Sequence, residues 1–243
     1  AQALLACGRV NIDQIDFDFD AAAPADEPRP ASVASSSGPS AAPAHHVDEA
    51  LVLHTLRVRG FVTPDGFTES LGLHPQDLLA QLVERGHVRH IEKRQMFGLL
   101  PAGKELHASL LDGLADESVQ SGLADGYPAF LALNDDFKQL CTQWQVRDGQ
   151  PNDHTDADYD RGCIERLAAL AVAADRVIDG FAAVLPRMAR YGDRLALAAD
   201  RVANGEVKQF TGVMCESFHD IWMELHEDLI VLQRIDRVAE GSF

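Results

Sequence analysis

Cysteine is sparse and scattered in this chain: Cys7, Cys141, Cys163 and Cys215 form no CxxC pair, which excludes a zinc ribbon and a dense disulfide scaffold. No apolar run approaches the ~20 residues of a membrane helix, and Ala1 to Arg9 lacks the basic start and long apolar stretch of a secretory leader. These absences lead us to expect a cytoplasmic protein with reduced thiols and no membrane partner. Positive charge is also short, with 21 Lys and Arg against 38 Asp and Glu and a net charge of −17. Such a molecule repels nucleic acid phosphates unless its cations gather on one face, and it has no general affinity for anionic lipid. A Gly-rich phosphate loop, a GxSxG elbow, an HExxH pair and a joined Cys/His signature are all missing. The expectation is therefore no catalytic residue, no metal, no cofactor and no independent enzyme.

The 243 residues suffice for one or two cores. The pattern divides the chain into an arm (1–20), an Ala/Pro/Ser linker (21–45), a small domain (46–112) and an acidic helical bundle (113–243). In the arm, the alternation Ile15 to Asp20 suits a strand. It fits equally the end of a preceding domain, an added strand on a neighbouring sheet, or a disordered acidic segment. The linker cannot bury enough apolar surface to offset chain entropy and is expected to be disordered. The first residue is Ala rather than Met, which fits removal of an initiator or a piece of a longer chain.

Between Asp48 and Asp112 the order of elements is distinctive. Asp48 is placed as N-cap of a helix to Arg59 with Ala50, Leu53 and Leu56 on one face, ended by Gly60. Thr63-Pro64 opens a short helix closing at Gly72. His74-Pro75 opens a third that buries Leu78, Leu79, Leu82 and Val83 and stops at Gly86. Val88 to Ile91 and Met96 to Leu100 read as two strands around Glu92 to Gln95, and a fourth helix begins at Pro101.

Helix, short helix, helix, hairpin, helix is the order of a winged helix-turn-helix. Residues 48–111 resemble the winged-helix domain of MarR-type bacterial transcription regulators, with Leu100-Pro101-Ala102-Gly103 similar to the Leu-Thr-Pro-Ala-Gly that follows the wing in that family. The resemblance implies DNA contact through the third helix and the wing. The residues suited to it are Gln76, Gln81 and Arg85 on the helix and Arg89, Lys93 and Arg94 on the wing, with Arg57 and Arg59 possible additions to that side. Asp77 and Glu84 on the same helix face argue against a phosphate wall and for a protein-binding role.

Beyond Asp112 every segment has a 3.6-residue period and none reads as a strand. Helices are expected over 114–147 (one or two), from Asp156–Asp160 to Pro186, from Arg187 to Val202, and from Gly212 to Arg237. Asp156, Asp158 and Asp160 have the spacing of a calcium loop, but Arg161 and Leu167 stand where it needs Gly and Glu. Capping acids at a helix start account for them better. The last helix carries Glu216, His219, Asp220, Glu224, His226, Glu227 and Asp228, read as a solvated acidic face opposite Trp222, Leu225, Leu229 and Leu232. Trp144 and Trp222 read as core aromatics, and with His154 and His226 they are the candidate ligand-binding residues.

Segments 127–160 and 216–228, including Cys141-Thr142-Gln143-Trp144-Gln145 and His219-Asp220-Ile221-Trp222, are similar to the acidic helical half of a group of actinobacterial winged-helix proteins. Similar segments end proteins carrying phosphoenolpyruvate-utilising, pyruvate phosphate dikinase-like domains. The two resemblances together lead us to expect either a regulator whose bundle dimerises, giving a homodimer, or senses a ligand, or a non-catalytic module docking on an enzyme domain.

Overall fold

The computed structural model describes residues 42–72 and 74–236, with side chains from Glu49 onward. The expected arm and nearly all of the expected linker lie outside these residues. The described chain is mainly helical, with two small antiparallel sheets.

The first helix, α1 (Ala42–Arg59), begins six residues before Asp48, so Asp48 is an interior residue and not its cap. Gly60 (φ 79°) ends it. A two-residue strand, β1 (Phe61–Val62), follows; a segment so short leaves no period to read. In α2 (Pro64–Leu71) the Thr63 side chain accepts from Gly66 N, proline occupies the first turn, and Gly72 closes the helix in the left-handed region. After α3 (Gln76–Glu84), Gly86 at φ 72° turns the chain into β2 (Val88–Ile91). A 3-10 turn at Glu92–Arg94 leads to β3 (Met96–Leu99). The sheet order is β1-β3-β2, with Val88 opposite Leu99, Ile91 opposite Met96, and Phe61 opposite Gly98. Any side chain at Gly98 would displace the Phe61 ring, because a Cβ would stand 2.8 Å from it. Helix α4 (Pro101–Leu114) starts at the expected proline. The core of this part is Val52, Leu53, Leu56, Val62, Phe67, Leu79, Leu82 and Val88. Leu78 and Val83 are only partly covered at its margin.

Residues 117–145 form one uninterrupted helix, α5 (Glu117–Gln145), despite Pro128. At Val146–Arg147 (β4) and Gln150–Pro151 (β5) the chain makes a hairpin across Asp148 (φ 51°) and Gly149 (φ 76°). Two consecutive positive φ values are the requirement of a tight hairpin turn. The expectation of no strand beyond Asp112 is corrected by it. Helix α6 (Ala157–Val184) is capped by Asp156, which accepts from the backbone of Asp158 and Tyr159. A 3-10 turn over Pro186–Met188 leads to α7 (Ala189–Ala203), and a single turn, α8 (Lys208–Thr211), precedes α9 (Phe218–Gln233). The last helix thus begins six residues later than the pattern suggested, at the Ser217 cap.

Helix α9 packs against α5, α7, α8 and α1. Its apolar residues Phe218, Trp222, Leu225, Leu229 and Leu232 anchor the second core. Three of its four acids are buried as well: Glu224 is 7% exposed, Glu227 3% and Asp228 1%. The solvated acidic face expected of this helix does not exist, because α1 and α7 cover it.

Candidate functional site

Two features stand out, one on the surface and one inside. On the surface, Gln76, Gln81 and Arg85 lie on the exposed side of α3, and Arg89, Lys93 and Arg94 are exposed on β2 and its turn. These six share the α3–β2–turn segment. Asp77, Glu84 and Glu92 are exposed among them. The Arg85 guanidinium is drawn to Glu49 on α1, 2.5 Å away, and Arg89 lies over the Phe61 ring at 5.2 Å. At the tip, Gln95 (φ 49°) donates its side-chain amide to Glu92 O, which fixes the turn that carries Lys93 and Arg94.

Arg57 and Arg59 do not join that face. Arg57 pairs with Glu227 at 2.8 Å. Arg59, only 13% exposed, bonds Glu224 at 2.9 Å and Glu216, and also donates to Gly66 O and to Ser70 Oγ. The reason is geometric: the last turn of α1 faces α9, and its cations meet buried carboxylates there.

This interior junction was not read from the sequence. Asp228 stands at its centre with four donors on its two oxygens. Oδ1 accepts from His54 Nε2 at 2.7 Å and Arg187 Nη2 at 2.8 Å. Oδ2 accepts from Arg187 Nη1 at 2.5 Å and Tyr191 Oη at 2.9 Å. A carboxylate only accepts, so Nε2 of His54 carries its proton. Nδ1 of His54 is then the acceptor for Nε2–H of His107, 3.0 Å away on α4. The line Asp228–His54–His107 joins α9, α1 and α4.

Burial by itself would raise the Asp228 carboxyl, but the adjoining Arg187 and His54 outweigh it and hold it well below the usual carboxylate range. For Arg187, burial opposes the charge and the Asp228 carboxylate more than reverses this, so its guanidinium stays protonated. Burial lowers His54, with Asp228 opposing and Arg187 and Arg57 adding to the fall. His107 is lowered to about 4 by burial and by the neighbouring His54. Both imidazoles are therefore neutral at pH 7. Since both ring nitrogens of His54 are engaged, the His54–Asp228 pair has no free lone pair to take a substrate proton. The arrangement holds helices together and does not resemble a general base.

The four aromatic and histidine candidates of the bundle fall in two places. Trp144 meets His154 in a tilted contact at 4.4 Å and stacks on Phe210. Trp222 donates its indole N–H to Asn134 Oδ1 at 2.9 Å and stacks on Phe130, which also meets His226. Phe130 and Trp144 are fourteen residues apart on α5, roughly 21 Å of helix rise. One ligand pocket does not hold all four.

A sequence signal for the junction was present. Arg187, Arg190 and Arg194 repeat at helical spacing, as do Glu224 and Asp228. Their partnership spans 41 residues for Arg187 and Asp228 and 174 for His54 and Asp228, and a single sequence gives no means of matching them. Comparison of the chain with protein-family models, with curated proteins and with solved structures finds no match in any of the three.

Proposed function

We propose that residues 42–114 form a winged helix-turn-helix that contacts DNA through α3 and the β2–β3 wing, and that the α5–α9 bundle regulates it. The observation that carries this reading is the free outward side of α3 beside an exposed turn bearing Lys93 and Arg94. The chain order supports it, with a hairpin (β2–β3) after the third helix and β1, between the first two helices, pairing antiparallel onto β3. In the MarR-like reading a homodimer sets two such modules on half-sites about one helical turn of DNA apart.

The wing supplies charge to phosphates while Gln76 and Gln81 offer amides to base edges. Because the molecule carries −17 overall, binding depends on these few cations and falls steeply with salt. Gel shift against the DNA upstream of the chain's own coding region tests it. Replacing Arg89, Lys93 and Arg94 by Ala should abolish the shift at 50 mM salt, and any residual binding should show a log–log salt slope reduced by about 2 to 3. Equal binding by the triple variant rejects the reading.

The acids Asp77, Glu84 and Glu92 on the same surface favour a second reading, in which this face docks on another protein or an enzyme domain. In that case no DNA of any sequence is retained at low salt.

A further inference from the structure

A cleft opens beside the buried junction, between the second half of α2 and the first turns of α7. It is narrow, and four arginines, Arg59, Arg187, Arg190 and Arg194, line it with Glu224 and Asp228. These walls carry two more positive than negative charges. Counting Glu216, which pairs with Arg59 and Arg194 from behind, one positive charge remains in excess. Glu69 nearby is exposed to water, where its charge is screened. For a chain of net −17 this is an unusual local surplus.

Two of the lining arginines carry donors with no protein acceptor among the described residues. Arg190 is exposed and makes no hydrogen bond or ion pair among the described residues, its guanidinium resting against Gly72 at the end of α2. Arg194 gives Nη2 to Glu216 at 2.6 Å and to Glu224 at 2.7 Å, yet its Nε–H is buried with no partner. A buried N–H without an acceptor is destabilising, and a charged one more so. Guanidinium forks match the paired oxygens of a tetrahedral oxyanion.

We propose that this cleft binds a phosphate dianion, free or as the terminal group of a small phosphomonoester, at its mouth between Arg190 and Arg194. The anion offsets the surplus positive charge at the start of α7, where the Arg190 guanidinium rests against Gly72 at the end of α2. The site stands apart from the α3–β2 surface, so its existence does not depend on DNA binding.

Calorimetric titration and thermal unfolding of the full chain at pH 7.5 and low ionic strength, with inorganic phosphate, methyl phosphate and, as control, chloride, test the proposal. Saturable one-to-one binding of phosphate with a rise in Tm that equal chloride does not give is expected. Binding of methyl phosphate as well assigns the site to a phosphomonoester; binding of inorganic phosphate alone assigns it to the free ion. Arg190→Ala should weaken binding about ten-fold and Arg190→Lys less, with unchanged helicity by circular dichroism. Arg176→Ala, an equal change of charge on the exposed side of α6, should leave it intact. No saturable phosphate binding, or equal losses in Arg190→Ala and Arg176→Ala, overturns the proposal.

Discussion

At Asp228 one carboxylate satisfies four donors from three other side chains while 1% exposed. Its substitution by Asn keeps the shape but leaves the Arg187 guanidinium, 18% exposed, without its counter-charge. Breaking such a pair from one side costs about 3–5 kcal/mol, and Asp228→Asn should lose stability of that order in urea unfolding. A loss below 1 kcal/mol would mean water already reaches Arg187. Trp222→Phe is a milder case: the ring stack on Phe130 survives while Asn134 Oδ1 loses the indole N–H. The orphaned acceptor costs about 1–3 kcal/mol, and Asn134→Leu in the same background should recover part of it. Residues of this kind explain why the acids of α9 read wrongly from the pattern. An Asp on a helix face is most cheaply placed in water, and only a partner elsewhere in the chain makes its burial tolerable.

Between elements the decisive quantities are proton affinity and backbone distance. His54 and His107 tie α1 to α4, and both titrate below their ordinary value of 6.5. Below pH 6.5 the unfolded chain therefore binds protons at both positions that the folded chain refuses, for His107 down to about pH 4. Stability is full above pH 6.5 and falls as pH drops through that window, by on the order of 2–3 kcal/mol for His107. Asp228, held low, adds a further loss only below its ordinary value of 3.8. His107→Gln retains a side-chain N–H for His54 and removes the titration, so unfolding free energies at pH 7 and pH 5 should differ less in the variant than in the parent. An unchanged difference would place the acid sensitivity elsewhere. Helices α5 and α6 approach through Gly122 and Gly126, where a Cβ would meet Val184 at 2.7 Å and the Phe181 ring at 2.7 Å. Gly→Ala gains about 1 kcal/mol in a helix, but overpacking costs about 1–3 kcal/mol. Phe181 is fully buried and cannot swing aside, so Gly126→Ala should lower Tm despite its better helix propensity.

For the molecule as a whole, two cores meet across a charged and histidine-lined junction. His54→Ala combined with Arg59→Ala removes the bonds from α1 to Asp228, Glu224 and Glu216. Calorimetric unfolding, expected as one transition in the parent, should then broaden or split as the cores melt separately; a single sharp transition at lower temperature would show that the contacts left, apolar packing and the Arg57–Glu227 pair, suffice to couple them. The triple change of Arg89, Lys93 and Arg94 touches exposed side chains only, so it should leave Tm nearly unaltered whatever it does to ligand binding. By itself the sequence determined the local order: the Thr63-Pro64 start, the turn at Gly86, the strands either side of Glu92 to Gln95, the Asp156 cap and the helical period beyond Asp112. Each depends on neighbours a few residues apart, through a cap, a left-handed glycine or a repeat of side-chain spacing. Three things waited for the tertiary structure: the two-residue strand β1, the destination of Arg57 and Arg59, and the burial of Glu224, Glu227 and Asp228. Their cause is pairing between positions up to 174 residues apart, where charge complementarity in a low-dielectric space, and not local preference, decides which side of a helix faces water.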